Sequence, residues 1–204
     1  MNIGFYNPYF DSLGGGERYV LTLASHWAKQ HDVDLFCDDL RYLKKAEERL
    51  HIDVSRIRLT PNIFSGNNIL KKALISGSYD LIFFLTDGSI PTTLAKRNIL
   101  HFQVPFVHVS TPRIKRTMYR YVVCNSNFTR DHLDPGFGAG ARVIYPPVVP
   151  IPVSKGRKKQ KMILTVGRFN SLYEVKKQRV LIGAFDQAQK DKSFAGWKLV
   201  LAGG

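Results

Sequence analysis

Cysteine is scarce in this sequence, acids are far outnumbered by bases, and long apolar runs are missing. Each shortage removes a class of protein. Cys37 and Cys124 are the only cysteines, and each sits in an apolar run, Val33 to Cys37 and Tyr121 to Cys124. Two isolated cysteines make neither a disulfide framework nor a metal site, so buried reduced thiols are expected. No stretch of about 18 uninterrupted apolar residues occurs, which excludes a membrane-spanning helix. The opening residues, Met1-Asn2-Ile3-Gly4-Phe5-Tyr6, lack the basic segment and apolar core of a signal peptide. They read as a first strand, and cytoplasmic residence is expected.

Sixteen acids against 30 lysines and arginines leave a net charge of +14. Such a field attracts anions: nucleotides, nucleic acid or an acidic lipid surface. The bases concentrate in Arg113-Ile114-Lys115-Arg116 with Arg120, and in Lys155-Gly156-Arg157-Lys158-Lys159-Gln160-Lys161. The second run reads as a solvated linker between domains. Nucleic acid is disfavoured as a partner, because no recognised binding motif accompanies the charge.

What is present is enough for a packed core. With 204 residues, 44% of them hydrophobic, the chain can form one domain of about 150 residues plus a fragment of about 50. Short apolar runs alternate with helix-length amphipathic segments, the signature of a parallel sheet covered by helices. Strands are predicted at Ile3–Tyr6, Val33–Cys37, Ile57–Leu59, Leu81–Leu85, Ile99–Phe102, Tyr121–Cys124 and Val143–Ile144. Several are apolar without alternation, as strands buried on both faces are. Helices are predicted at Gly16–Gln30, Leu40–Leu50, Ile69–Ser76 and Asn127–Leu133. Tyr145-Pro146-Pro147-Val148-Val149-Pro150-Ile151-Pro152 can continue neither helix nor central strand, so it marks the domain boundary. Beyond it, Met162 to Val166, the run Val180 to Gln189 and the strand ending at Leu201-Ala202-Gly203-Gly204 form one strand–helix–strand unit. The expected division is therefore 1–145, a linker at 146–160, and 161–204.

Candidate chemistry lies just after the strands. Gly14-Gly15-Gly16-Glu17-Arg18 precedes the first helix, where glycines allow close backbone approach and the helix N-terminus offers unpaired N–H groups. The spacing is neither a dinucleotide fingerprint nor a Walker loop, and a tight structural turn explains it equally. Glu17 is also favoured there by the helix dipole alone. His101 follows Asn98-Ile99-Leu100 at a carboxyl strand end, with His108 as a rival. A histidine there can hydrogen-bond a ligand in the crevice or serve packing only. Asp87-Gly88-Ser89 ends another strand, and its carboxylate can face the same crevice or hold a turn. Ser126 in Asn125-Ser126-Asn127 is a natural helix N-cap. Arg168 and Lys176, after the glycine of the strand beyond the linker, suit a bound diphosphate.

Taken in order, these segments resemble the group 1, retaining glycosyltransferases of the GT-B fold. The resemblance rests on Gly14-Gly15-Gly16-Glu17-Arg18, His101 in His-Phe-Gln-Val-Pro, Asn125-Ser126-Asn127-Phe128-Thr129, Tyr145-Pro146-Pro147-Val148, and Val166-Gly167-Arg168-Phe169 with Lys176-Lys177-Gln178. It implies two Rossmann-like domains, residues 1–145 holding the acceptor and residues 161–204 beginning the domain that holds a nucleotide-sugar donor. It implies that Arg168 and Lys176, with Lys177 as alternative, bind the donor diphosphate. The Gly14–Gly16 turn with Glu17, Asp87 and Ser126 would border donor and acceptor, and His101 would approach the transferred sugar. Neither a metal nor a cofactor is implied, the nucleotide-sugar being a substrate. The acceptor would be a saccharide or a lipid-linked saccharide; the amphipathic Asn68–Ile75 segment could touch an anionic bilayer, as relatives do, but it is short and reads first as a helix half-buried in the domain. The family's Glu-x7-Glu donor segment would fall past Gly204, so a truncated donor domain, inactive alone, is expected. The competing reading is a non-catalytic basic module for anionic membrane or nucleic acid.

Overall fold

The computed structural model of the chain describes residues 1–10, 13–109, 112–148, 156, 158–167, 169 and 176–203. The chain divides into two compact units, Met1–Val149 and Pro150–Gly204. Within the proline run, residues 149–152 lie outside the described residues, as do Lys155 and Arg157 of the basic run.

The first unit is built on seven strands: β1 (Asn2–Tyr6), β2 (Asp32–Phe36), β3 (Ile57–Thr60), β4 (Leu81–Thr86), β5 (Asn98–Phe102), β6 (Tyr121–Cys124) and β7 (Arg142–Val143). All pair in parallel in the order β3-β2-β1-β4-β5-β6-β7. This is an α/β, Rossmann-like sheet. The helices are α1 (Gly15–Trp27), α2 (Tyr42–Leu50), α3 (Ile69–Ser76), α4 (Arg113–Thr117), α5 (Asn127–Asp131) and α6 (Pro135–Gly138). No helix among the described residues is long and apolar enough to cross a membrane.

Two apolar layers cover the sheet. Ile3 and Phe5 of β1, Val33 and Leu35 of β2, and Phe83 and Leu85 of β4 pack with Tyr19, Val20, Leu21 and Ala24 of α1. On the other face Tyr6, Phe36, Ile82, Phe84, Leu100 and Phe102 join Phe64, Tyr79 and Tyr119. Both cysteines are free and buried, as their apolar settings predict. Asp34 breaks the apolar pattern of β2 and is held by a Tyr79 hydroxyl donating at 2.8 Å and an Arg58 Nε donating at 2.8 Å. Burial and the adjacent Asp34 carboxylate push the Tyr79 phenol up.

Several boundaries differ from the sequence reading, for local reasons. Helix α1 stops at Trp27 instead of Gln30, because the Lys29 and Gln30 N–H groups turn back to carbonyls three residues earlier, His26 and Trp27. Helix α2 begins at Tyr42 instead of Leu40, since Asp39 accepts from the Arg41 N–H and folds Leu40 into a turn. The short helices α4 and α6 were not expected; each is too brief to show a helical period.

The second unit contains β8 (Met162–Val166), α7 (Gln178–Ala188), a short 3₁₀ turn at Lys192–Phe194 and β9 (Lys198–Ala202), with β8 and β9 parallel. Helix α7 starts two residues before the expected Val180, after Lys177 in a left-handed conformation, φ 49°. Along β8, Met162, Leu164 and Val166 are exposed while Ile163 and Thr165 are half-buried.

Gly4 in the centre of the sheet tests how tightly the aromatic layer packs. A Cβ there would lie 2.6 Å from the Phe36 ring, which Phe64 and Tyr79 already hold edge-on at 5.1 and 5.3 Å. Gly4→Ala should therefore destabilise the protein by about 1–3 kcal/mol in urea unfolding, the usual penalty of overpacking. An unchanged midpoint would show that Phe36 can move at no expense.

Candidate functional site

The strand order locates the crevice. From β1 the chain winds outward through β2 and β3, whereas β4 pairs with the other side of β1 and the chain then runs the opposite way. Strand order thus reverses between β1 and β4, and ligands of open parallel sheets bind outside the carboxyl ends of the strands at such a reversal.

Polar groups gather at those ends. After β1, buried Asn7 accepts from the Tyr9 N–H at 2.9 Å through Oδ1, while its Nδ2 has no hydrogen-bond partner among the described residues. The Tyr9 hydroxyl reaches Asp87 Oδ2 after β4 at 3.4 Å, joining the two loops. Asp87 Oδ1 accepts from the Ser89 N–H and Oγ at 3.0 and 2.6 Å, so the carboxylate holds a turn as well as facing Tyr9. Burial pushes its pKa up, but the bonds from Ser89 outweigh this and leave it below the ordinary value. Beside it burial, reinforced by Asp87 and Tyr9, pushes Tyr6 up to about 12.

The glycine turn forms the entry to α1. Gly14 is its N-cap, and buried Glu17 folds back to accept from the Gly14 N–H at 2.8 Å. Glu17 therefore satisfies one of the donors at the helix start. A Cβ on Gly16 would lie 2.9 Å from Gln103 Oε1, so the glycine lets α1 approach the loop after β5. Gly15 is exposed. Past β6, Asn125 Nδ2 donates to the Gln103 carbonyl at 2.8 Å and its Oδ1 accepts from Thr129 Oγ1 at 2.7 Å. Ser126 caps α5, its Oγ accepting from the Thr129 N–H at 3.1 Å.

A cavity of about 450 Å³ opens on the side of this edge away from α1. Tyr6, Phe64 and Ile69 form apolar wall, Asn67, Ser89 and Thr92 polar wall, and Lys72 and Lys115 enter from α3 and α4. Neither lysine stood out individually in the sequence. The signals were there, in the Lys71-Lys72 pair and the Arg113–Arg116 run, but only the fold brings them to one cavity. Asn7 and Tyr9 were not singled out in the sequence, and Gln103 entered only within His-Phe-Gln-Val-Pro.

The first unit thus brings Gly14, Gly15, Gly16, Glu17, Asp87 and Ser126 to the carboxyl edge of one sheet. In the second unit, Lys176 and Lys177 are exposed at the start of α7, with Lys176 beside Gly167, while Arg168 lies outside the described residues. Among the described residues, no three His, Cys, Asp or Glu side chains cluster as metal ligands.

His101 lies within β5 and has no exposed surface. It pairs in register with Leu85 and Val123, and its ring meets Tyr19 of α1 at 4.3 Å and Phe83 at 5.5 Å. Among the described residues, neither ring nitrogen has a hydrogen-bond partner. His108, its rival, is exposed. Burial lowers the His101 pKa from 6.5 to about 3. The unfolded chain takes up this proton near pH 6.5 and the folded one does not, so the residue's stabilising contribution is complete above 6.5. It then falls by roughly 1.4 kcal/mol per pH unit as the pH drops toward 3. His101→Phe keeps a ring beneath Tyr19, and urea unfolding between pH 5 and 7 should lose that slope in the variant. An unchanged slope would assign the pH dependence elsewhere.

No curated protein matches the sequence. The fold is similar to the crystal structure of Anabaena Alr3699/HepE in complex with UDP and glucose. The TM-score is 0.57 and the identity 19%, over 99% of this chain and 69% of that one. Residues 13–150, which run from the glycine turn through β2–β7 of the first unit to the proline run, match the Glycosyltransferase Family 4 model. That match covers well over half of the sequence, and the chain belongs to this family.

Proposed function

We propose that the protein transfers a hexosyl group from a nucleotide-sugar to a saccharide or lipid-linked acceptor, with retention, as a group 1 enzyme of the GT-B fold. Family membership over residues 13–150, which include the glycine turn and every strand of the sheet but β1, carries this reading. The UDP and glucose named with the Anabaena structure make UDP-glucose the first donor to test.

In such a transfer the bond from the anomeric carbon to the donor phosphate oxygen breaks. The acceptor oxygen bonds on the same face, and its proton passes to the departing phosphate. Neutral His101 suits a sugar hydroxyl, having one N–H donor and one acceptor nitrogen free. Because its ring lies beneath Tyr19, the sugar meets it only when that ring shifts. Arg168 and Lys176, or Lys177 in place of the latter, would neutralise charge developing on the diphosphate, where fixed cations lower the barrier most. The Gly14–Gly16 turn supplies close backbone approach, Glu17 fixes that turn, and Asp87 and Ser126 border the acceptor. The chemistry asks for neither metal nor cofactor.

A second reading adds a membrane contact. Helix α3 exposes Leu70 and Leu74, 75% and 78% accessible, beside Lys71, a pattern suited to an anionic bilayer surface. Leu70→Ser with Leu74→Ser should abolish co-sedimentation with phosphatidylglycerol vesicles, and sedimentation that survives in the variant excludes α3 as the contact.

Product analysis tests the main reading. Incubation of the full-length protein with UDP-glucose and saccharide acceptors should give an α-linked product by NMR; a β-linked product would sink retention, and no nucleotide release with any donor would sink transfer. Lys176→Ala should lower kcat by about 10²-fold, the usual loss of a charge-stabilising donor.

A further inference from the structure

The cavity beside β1 and β4 draws two cations together. Lys72 comes from α3 and Lys115 from α4, and both are half-buried. Among the described residues, neither forms an ion pair with a carboxylate. Lys115 Nζ donates to the Ile90 carbonyl at 3.3 Å, which uses one of three ammonium donors. Burial, and then the neighbouring Lys115 charge, lowers the Lys72 pKa, so the two ammonium groups feel each other. Like charges converging in a partly enclosed space repel, and an anion between them removes the repulsion while gaining two attractions.

The rest of the wall narrows the choice of anion. Thr92 and Asn67 add a hydroxyl and an amide donor to the wall, the Ser89 hydroxyl being committed to Asp87. Two cations with two neutral donor groups match a dianion of three free oxygens better than a carboxylate with one charge and two oxygens. Lysine is a common phosphate ligand, acting as a point charge.

We infer that this cavity binds a phosphate group carried by the acceptor, with Lys72 and Lys115 as its ligands. The inference rests on the glycosyl-transfer reading only in calling the phosphate bearer an acceptor. The phosphate belongs either to a soluble ester or to a lipid headgroup, and the shared chemistry is the same.

Calorimetry of the full chain with glycerol 3-phosphate, and sedimentation with phosphatidylcholine vesicles carrying phosphatidic acid, separate these sources. Glycerol and plain phosphatidylcholine vesicles serve as controls. Binding to at least one phosphate probe is expected; vesicles alone assign a lipid headgroup, and glycerol 3-phosphate assigns a soluble ester. Lys72→Gln with Lys115→Gln should weaken binding by about 10-fold or more, the scale of one lost charge-assisted contact, while Lys72→Arg with Lys115→Arg retains it. Retention in the arginine pair shows that charge, not folding, is responsible. Failure of both probes to bind the unaltered chain, or equal binding by the glutamine pair, overturns the site. Glycosyl transfer is measured separately: phosphate binding that depends on these lysines, in a protein that releases no nucleotide from any donor, keeps the cavity and removes only its acceptor role.

Discussion

A sheet whose strands all run parallel must be covered on both faces, because its crossover connections lay helices there and its strands carry apolar residues on both sides. Here α1 closes one face through Tyr19, Val20, Leu21 and Ala24, and an aromatic layer around Phe36, Phe64, Tyr79 and Phe84 closes the other. Polar chemistry then gathers at the strand ends, with Asp34 in β2 and His101 in β5 as exceptions. Asn7, Asp87, Gln103 and Asn125 stand at one edge, and the reversal of strand order between β1 and β4 opens that edge into a crevice.

Much of this was legible in the sequence. Uninterrupted apolar runs such as Leu81–Leu85 marked parallel strands, and the glycine turn, Asp87 and Ser126 were found because strand ends carry short polar signals. The limits have physical causes. A five-residue helix such as α4 is shorter than two turns, so no apolar period announces it. The place of His101 illustrates a different limit: periodicity put it at a strand end, but only the packing of Tyr19 over β5 shows that the ring is sealed and unpartnered. Asp34 in an apolar strand likewise made sense only once Arg58 and Tyr79 were seen to meet it. The convergence of Lys72 and Lys115 depends on two helices distant in sequence, which no local pattern encodes.

The charge imbalance takes on a sharper form in three dimensions. Asp39, Asp53, Asp87, Asp134 and Asp191 each accept a hydrogen bond from the backbone N–H two residues on, closing a turn. All five titrate below the ordinary carboxyl range: Lys45 is the chief cause at Asp39, Ser55 at Asp53, and the backbone bonds of Gly136 and Ser193 at Asp134 and Asp191. At Asp87 the bonds from Ser89 prevail over burial. Each therefore keeps its negative charge, and Asp87 carries that charge to the crevice itself.

The position of β1 has a consequence for how the chain assembles. Its two neighbours are β2 and β4, which are separated in sequence by α2, β3, α3 and their loops. During synthesis β1, β2 and β3 emerge first, yet they can form only a half-sheet whose Asp34 lacks the Tyr79 hydroxyl, 45 residues further along. That half-sheet has an open edge at β1, and open edges of growing chains are prone to mispairing. Docking of β4 closes the edge, satisfies Asp34 and opens the crevice in one step. The pairing that opens the crevice is therefore also the one that joins the two halves of the sheet.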